Sequence, residues 1–318
     1  MEHRVKGEIK MSVLFFKPIP RPAIWGHTLV KDYFEYKDFP EGIGQSWSFS
    51  AQEGASTICL SEPFRGQTLL ELWNNHQELF GHPGETFPVI ISLVGPEDDL
   101  SIQVHPNSQY AKSIGYSSGK NEAWYFIESQ EGANIVYGHN AKDEDDLRKY
   151  IQNDQWDKLI RHLDVHTGDF VYLPAGLLHA LRKGSVVYEI QQATDITYRF
   201  YDYHRKDAQG NERELHLEQA IACLSYEPQD MKNNIHPVIS MHDGYMKTVY
   251  ISNDSFTVTK LDVDGQGEYQ CDNYQLATVV KGSGQVDGKE VKIGESFLIP
   301  VNSQVKLEGQ MLIMMTTK

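Results

Sequence analysis

The sequence predicts a mainly β protein built from two related β domains in tandem. Three observations carry this expectation. Val, Ile, Thr and Tyr recur in short runs punctuated by Gly, Pro, Asn and Asp, which is the composition of strands and tight turns. Helical spacing is confined to three stretches. Finally, Gly168-Asp169-Phe170-Val171-Tyr172-Leu173-Pro174 is echoed by Gly294-Glu295-Ser296-Phe297-Leu298-Ile299-Pro300. Both segments read Gly, acid, four residues, Pro, as expected of a turn, a strand and a second turn used twice. The copies then diverge, because five residues after the proline stands His179 in one and Val305 in the other.

The elements follow in order. Strands are expected at 87–94, 100–104, 123–128, 170–173, 186–191 and 196–201, and later at 256–261, 276–280, 296–299 and 311–315. A helix is expected over 68–80, where Leu69, Leu72, Trp73, His76, Leu79 and Phe80 recur at helical spacing. A second is expected over 143–163, where Leu147, Tyr150, Ile151, Trp156, Leu159 and Ile160 do the same. The acidic run 143–146 opens that helix, where its charge complements the helix dipole. A third helix is expected over 212–224, and the polar stretch 227–234 reads as a linker. The division that follows is a first domain at 1–240, with helical insertions, and a smaller second domain at 241–318.

Composition narrows the function. The chain has 318 residues, with 29 Lys plus Arg against 44 Asp plus Glu, a net charge of −15. Phosphate neutralisation needs clustered cations, so a nucleic-acid partner is not expected. Cys59, Cys223 and Cys271 are odd in number and widely spaced, which fits a reducing, cytoplasmic setting rather than a disulfide framework. The apolar run 13–16 is too short for a signal-peptide core, and 87–94 is too short to span a bilayer. Role and structure of residues 1–10 stay open between a loose end and an extra strand.

One constellation carries chemistry. In Ser101-Ile102-Gln103-Val104-His105-Pro106, Gln103 and His105 share one face of a strand, with Ile102 and Val104 on the other. Lys120 and Glu122 share a face in Gly119-Lys120-Asn121-Glu122-Ala123-Trp124-Tyr125, and His179 closes Pro174-Ala175-Gly176-Leu177-Leu178-His179. A barrel can bring Gln103, His105, Glu122 and His179 to one metal, and two imidazoles with a carboxylate suit zinc. Each of these histidines, taken alone, reads equally as a surface or hydrogen-bonded residue. Lys120 reads equally as an exposed loop lysine. Arg199 on its own reads as a surface arginine in a salt bridge. Core positions are the expectation for Trp25, Trp47 and Trp124.

The motifs resemble a known family. The spacing Gly168-x5-Pro174-x-Gly176-x2-His179 resembles the second motif of the cupin superfamily. Gln103-Val104-His105-Pro106-Asn107, the Gly119–Tyr125 segment quoted above and Tyr198-Arg199-Phe200-Tyr201-Asp202-Tyr203 resemble type I mannose-6-phosphate isomerases in their short bacterial form. Ile24-Trp25-Gly26 and 69–80 are similar too, so the resemblance runs from about Pro18 to the C-terminus. It implies two cupin (jelly-roll) barrels, the second without metal. It implies one Zn²⁺ per chain on Gln103, His105, Glu122 and His179, a catalytic Arg199, and substrate contacts from Lys120 and Arg199. The implied reaction interconverts mannose 6-phosphate and fructose 6-phosphate through a cis-enediol. The base is left open between a metal-activated water and a carboxylate that the sequence does not place. The partner is a small sugar phosphate, with no membrane, and the chain is expected to be a monomer or weak homo-oligomer.

There is one departure. The strand before Gln103 usually carries a Lys in this family, and here the matching residue of Pro88-Val89-Ile90-Ile91-Ser92-Leu93-Val94 is Ser92. A hydroxyl cannot supply that charge to a phosphate or an enediolate. This keeps a second reading in play, a sugar-phosphate-binding or altered-substrate paralogue. A third, an iron oxygenase on the same fold, is disfavoured because Gln103 replaces the first histidine of the usual pair.

Overall fold

The computed structural model describes residues 13–82, 84–206, 209–227 and 235–318. Residues 1–10 and nearly all of the linker 227–234 lie outside them. Three large sheets account for the architecture.

A six-stranded antiparallel sheet runs Phe170–Leu173, Glu122–Ser129, Ser185–Gln192, Val89–Val94, Ile43–Phe49, Ile19–Pro22. A five-stranded sheet faces it, in the order Ile160–Asp164, Asn134–His139, His179–Ala180, Ile102–Val104, Tyr198–Tyr201. The period of two along each strand decides which residues fill the space between. Trp124 and Phe126 point inward, to Val94, Val187, Tyr137 and Leu177. Ala123, Tyr125 and Ile127 point outward, into a core shared with Phe256, Tyr274 and Met314 of the C-terminal part of the chain. The six-stranded sheet is therefore buried on both faces, which is why Val89–Val94 is apolar except for Ser92 and has no exposed position. The five-stranded sheet turns its outer face, Ile102, Val104, Val136 and Phe200, to a third core under the helices.

The nine-stranded C-terminal sheet curls around its own apolar interior, which includes Leu261, Tyr269, Val279, Phe297, Val305 and Ile313. Leu14–Lys17 joins it, paired to Ser296–Ile299 on one side and Ile58–Cys59 on the other. A cut between residues 240 and 241 thus leaves two short strands of the first part hydrogen-bonded into the sheet of the second, and it also runs through the strand Val238–His242 of that sheet.

Helical and strand bounds differ from the sequence reading at several points. The 68–80 region forms Leu69–Asn75 and a 3-10 turn at Gln77–Leu79, opened by a capping box between Thr68 and Glu71. The 143–163 region forms Glu144–Gln152 and Trp156–Leu159, but its end is the strand Ile160–Asp164. Asp154, at φ 51°, breaks the helix, and Ile135, Val136 and His139 supply strand partners for Leu163, His162 and Ile160. In the 212–224 region only Leu217–Cys223 is helical, because His216 is held beside Arg199 by hydrogen bonds in both directions.

The C-terminal strands run longer than their apolar cores: Thr257–Gln270, Gln275–Val286 and Gln304–Thr317. Gly265, Gly309 and Gly284 lie side by side in register across them. A Cβ on Gly309 would meet the Gly284 Cα at 2.6 Å. Partner backbone, rather than local propensity, extends these strands.

Candidate metal centre

The site forms between the two facing sheets of the first barrel. His179 lies directly opposite Gln103 on one side of the Ile102–Val104 strand, and Arg199 lies opposite Gln103 on the other. All three share the inward side of the five-stranded sheet. Glu122 opens its strand on the six-stranded sheet, two residues before the inward Trp124. The connecting turns are tied together through the main chain. Ala175 N–H donates to Asn121 Oδ1 at 2.8 Å, so the turn before His179 is anchored to the residue before Glu122. Gly176 N–H donates to the His105 carbonyl at 2.8 Å. Gly176 sits at φ 88° against the Cys223 carbonyl, a place where a side chain would be strained.

Two backbone carbonyls set the histidine tautomers. His105 Nδ1 lies 2.8 Å from the Ile196 oxygen, and His179 Nδ1 lies 2.9 Å from the Leu177 oxygen. A carbonyl only accepts, so both Nδ1 atoms carry a proton, which in the neutral ring leaves the Nε2 lone pair to bind a metal. Those lone pairs face Glu122: His105 Nε2 to Oε1 is 3.3 Å and His179 Nε2 to Oε2 is 3.3 Å. All three ligand atoms lie within 4.8 Å of one another, and all three residues are 1% exposed. Glu122 Oε2 and His179 Nε2 have no hydrogen-bond partner. Buried acceptors that face each other without a proton between them are costly, and a divalent cation resolves that conflict. This donor set fits a metal.

Lys120 supplies the positive charge nearest to the trio. It is 5% exposed, so it is no loop lysine in water. Its Nζ donates to Glu122 Oε1 at 2.9 Å and lies 3.4 Å from His105 Nε2. Burial pushes the Glu122 carboxyl up, but Lys120 and then His105 outweigh it and hold the group well below the usual carboxylate range. Burial, reinforced by Lys120, pushes His105 down to about 4, so its ring is neutral at physiological pH.

Comparison with known proteins places this geometry. A family model for the phosphomannose isomerase type I catalytic domain matches residues 15–133, and one for the mannose-6-phosphate isomerase cupin domain matches 246–317. The mannose-6-phosphate isomerase ManA of Bacillus subtilis is 37% identical over 304 residues, covering 93% of this chain and 96% of that protein. The chain belongs to the type I phosphomannose isomerase family. Its relatives include a mannose-6-phosphate isomerase of Streptococcus mutans, 37% identical over 275 residues and covering 86% of each chain. The crystal structure of a Bacillus subtilis mannose 6-phosphate isomerase superposes with a TM-score of 0.92 at 34% identity, over 97% of this chain and all of that one. A Salmonella typhimurium phosphomannose isomerase shares the fold, with a TM-score of 0.76 at 14% identity, over 97% of this chain and 100% of that one. Membership in this family of isomerases makes the chain an enzyme, and the two-barrel, mainly β architecture is the family's own. Among the described residues no helix is long and apolar enough to cross a membrane.

The remaining family positions have distinct settings. Arg199 donates from Nη1 to the Glu214 carbonyl at 2.7 Å, while its Nε is buried without a partner. The neighbouring carboxylate, Asp202, is taken by Arg205 and Arg213. Burial, and then Arg213, lower the Arg199 pKa. Its guanidinium is thus directed by a neutral carbonyl. Ser92 is fully buried and bonded to Glu189. Trp124 and Trp47 are buried, and Trp25 packs over Gly44, where a Cβ would meet its ring at 2.2 Å.

Sequence reasoning missed Glu189, Asn121 and the Ile196 carbonyl. Only Glu189 left a trace, as an acid inside the apolar Val186-Val187-Tyr188-Glu189-Ile190 run.

Proposed function

We propose that this protein is a zinc-dependent isomerase that interconverts mannose 6-phosphate and fructose 6-phosphate through a cis-enediol. The observation that carries the reading is the buried trio His105, Glu122 and His179, with opposed, proton-free acceptor atoms, in a chain of this family. Gln103, at the inward position opposite His179, completes a set of two nitrogens and two oxygens that suits one Zn²⁺ per chain. Bound zinc supplies Lewis-acid stabilisation of the negative charge that develops on adjacent substrate oxygens. Lys120 and Arg199 add fixed positive charge in a water-poor interior, where it acts more strongly than in bulk water. Arg199 also suits the substrate's anionic group, since among the described residues its guanidinium is paired with no carboxylate.

The same reading makes residues 1–240 the catalytic domain and 241–318 the packing domain. The free cysteines Cys59, Cys223 and Cys271 support a reducing, cytoplasmic setting.

Ser92 favours one second reading, a binding or altered-substrate paralogue, because no cation stands at that position. A single assay separates the two. The zinc-loaded protein is expected to convert mannose 6-phosphate to fructose 6-phosphate and to lose that turnover on chelation, with recovery on zinc return. Saturable sugar-phosphate binding without turnover at full zinc occupancy would establish the paralogue instead.

A further inference from the structure

The second barrel reaches toward the metal centre through one turn. Residues 253–256 connect the strand Tyr245–Ser252 to Thr257–Gln270. Asn253 closes this turn, because its Oδ1 accepts from Ser255 N–H at 2.8 Å and from Phe256 N–H at 3.1 Å. Phe256 is fully buried and plants the turn in the core that the two barrels share, edge-on to Tyr172 with 6.3 Å between ring centres. Tyr172 pairs with Ala123 and Leu173 with Glu122, so the turn stands at the metal end of the first barrel. There Asn121 Nδ2 donates to Ser255 Oγ at 2.9 Å, and Ser255 is only 6% exposed.

Asn121 is held at every polar atom. Its N–H donates to Gln192 Oε1 at 3.0 Å, and its carbonyl accepts from Gln192 N–H at 3.0 Å. Its Oδ1 accepts from Ala175 N–H at 2.8 Å. A main-chain N–H only donates, so the oxygen of the amide must face Ala175 and the nitrogen must face Ser255. The amide is therefore a bar between the turn before His179 and the second barrel. Asn121 also immediately precedes Glu122, and Gly176, next to Ala175, donates to the His105 carbonyl. Through one side chain, Ser255 bears on the segments that carry all three members of the trio.

We infer that Asn121 and Ser255 are positioning residues of the metal centre, so that the second barrel sets ligand geometry in the first. The inference rests on the metal reading above. Glu122 and His179 each open a strand, and His105 follows the end of one. Strand ends open more readily than strand interiors, so ligands placed there depend on what ties the ends to one another. Three acceptor atoms that crowd within 4.8 Å add to that need, because they repel one another until a cation joins them. The Asn121 amide and the Ser255 hydroxyl supply the tie without touching a ligand atom. Cohesion between the barrels has a separate buried hydrogen bond, Tyr188 Oη to Thr316 Oγ1 at 3.1 Å. Tyr188 points away from the trio, into the shared core, so that bond is an internal control.

The test titrates Zn²⁺ and Co²⁺ into the metal-free full chain and reads affinity, the visible spectrum of bound cobalt, and the melting temperature before metal is added. It compares wild type with Ser255→Ala, Asn121→Ala, Ser255→Thr and Thr316→Val. Ser255→Ala should bind zinc about 10-fold more weakly and Asn121→Ala about 100-fold, the range expected of partners outside the ligand set. The cobalt spectrum, which reports ligand geometry, should change in both. Ser255→Thr keeps the hydroxyl and should restore wild-type affinity and spectrum. Thr316→Val should melt at a lower temperature than wild type with zinc affinity and cobalt spectrum unchanged. If Asn121→Ala does not fold, Ser255→Ala decides. Wild-type affinity and spectrum in Ser255→Ala would overturn the inference and leave the metal reading intact. Equal losses of affinity in Ser255→Ala and Thr316→Val would overturn it too, since cohesion of the barrels would then account for both. A wild type that binds neither metal would remove the metal reading, and the inference with it.

Discussion

The turns at 166–169 and 292–295 are the same piece of backbone placed in two barrels. In the first, His166 N–H donates to Asp169 Oδ2 and Asp169 N–H to the His166 carbonyl. In the second, Lys292 N–H donates to Glu295 Oε2 and Glu295 N–H to the Lys292 carbonyl. Gly168 and Gly294 stand at φ 92° and 85°, and each donates to a strand carbonyl, that of Phe126 or Val279, at 2.8 Å. Phe126 and Val279 return the bond, at 2.9 Å, to the carbonyls of Asp169 and Glu295. Then the barrels part. His179 faces Gln103 and a buried carboxylate, whereas Val305 faces Tyr269 inside a wholly apolar cluster. The frame is made of main-chain bonds and one exposed acid, so it is indifferent to what the barrel holds. What differs here is the interior side chain, a histidine facing a carboxylate in one barrel and a valine in an apolar core in the other.

Exchanging those side chains probes the difference. His179→Val has the largest expected effect. Wild-type protein should melt at a higher temperature with added zinc, because a ligand bound only to the native state stabilises it. The variant should show no such rise, and its zinc affinity should fall by more than the roughly 100-fold that outer partners cost. An equal zinc-induced rise in both proteins would sink the assignment of His179 as a ligand.

The reverse exchange, Val305→His, should bind no metal. It places an imidazole beside Tyr269 and Leu307 in a full apolar core. Overpacking and an unpaired polar group together should cost about 2–4 kcal/mol in urea unfolding.

The smallest effect separates the two turns. Gly168 has nothing near its missing Cβ, but a Cβ on Gly294 would lie 3.0 Å from Phe34 and Tyr36, and Tyr36 donates to the Gly294 carbonyl at 2.7 Å. Gly168→Ala should therefore cost only the left-handed backbone penalty, about 1–2 kcal/mol. Gly294→Ala should cost about 1 kcal/mol or more beyond that, from the added steric conflict. Equal losses would mean that this contact between the barrels yields freely.

How much was legible varied with how local the signal was. The apolar run at 87–94 announced a strand, and the spacing of Leu69, Leu72 and Trp73 announced a helix. Ile160–Asp164 was hidden because its apolar residues continue a helical spacing, and only its pairing with Asn134–His139 makes it a strand. The distal parts of the long C-terminal strands were hidden for a similar reason. Gly265, Gly284 and Gly309 have poor strand propensity alone and become strand only through each other.

By itself, the sequence determined which residues share a strand face: Gln103 with His105, Lys120 with Glu122. It also determined that a Gly–acid–strand–Pro unit occurs twice and that only one copy ends in a histidine. These are properties of spacing, which the period of two converts directly into direction. Only the tertiary structure decided that Lys120 is buried on Glu122, that two backbone carbonyls free both Nε2 atoms, and that Ser92 and Trp124 grip Glu189. The bonds from His105 to Ile196 and from Ser92 to Glu189 join residues 91 and 97 positions apart, and the burial of Lys120 comes only with the closed barrel. No local pattern encodes such meetings, because they arise from the register and closure of the whole barrel.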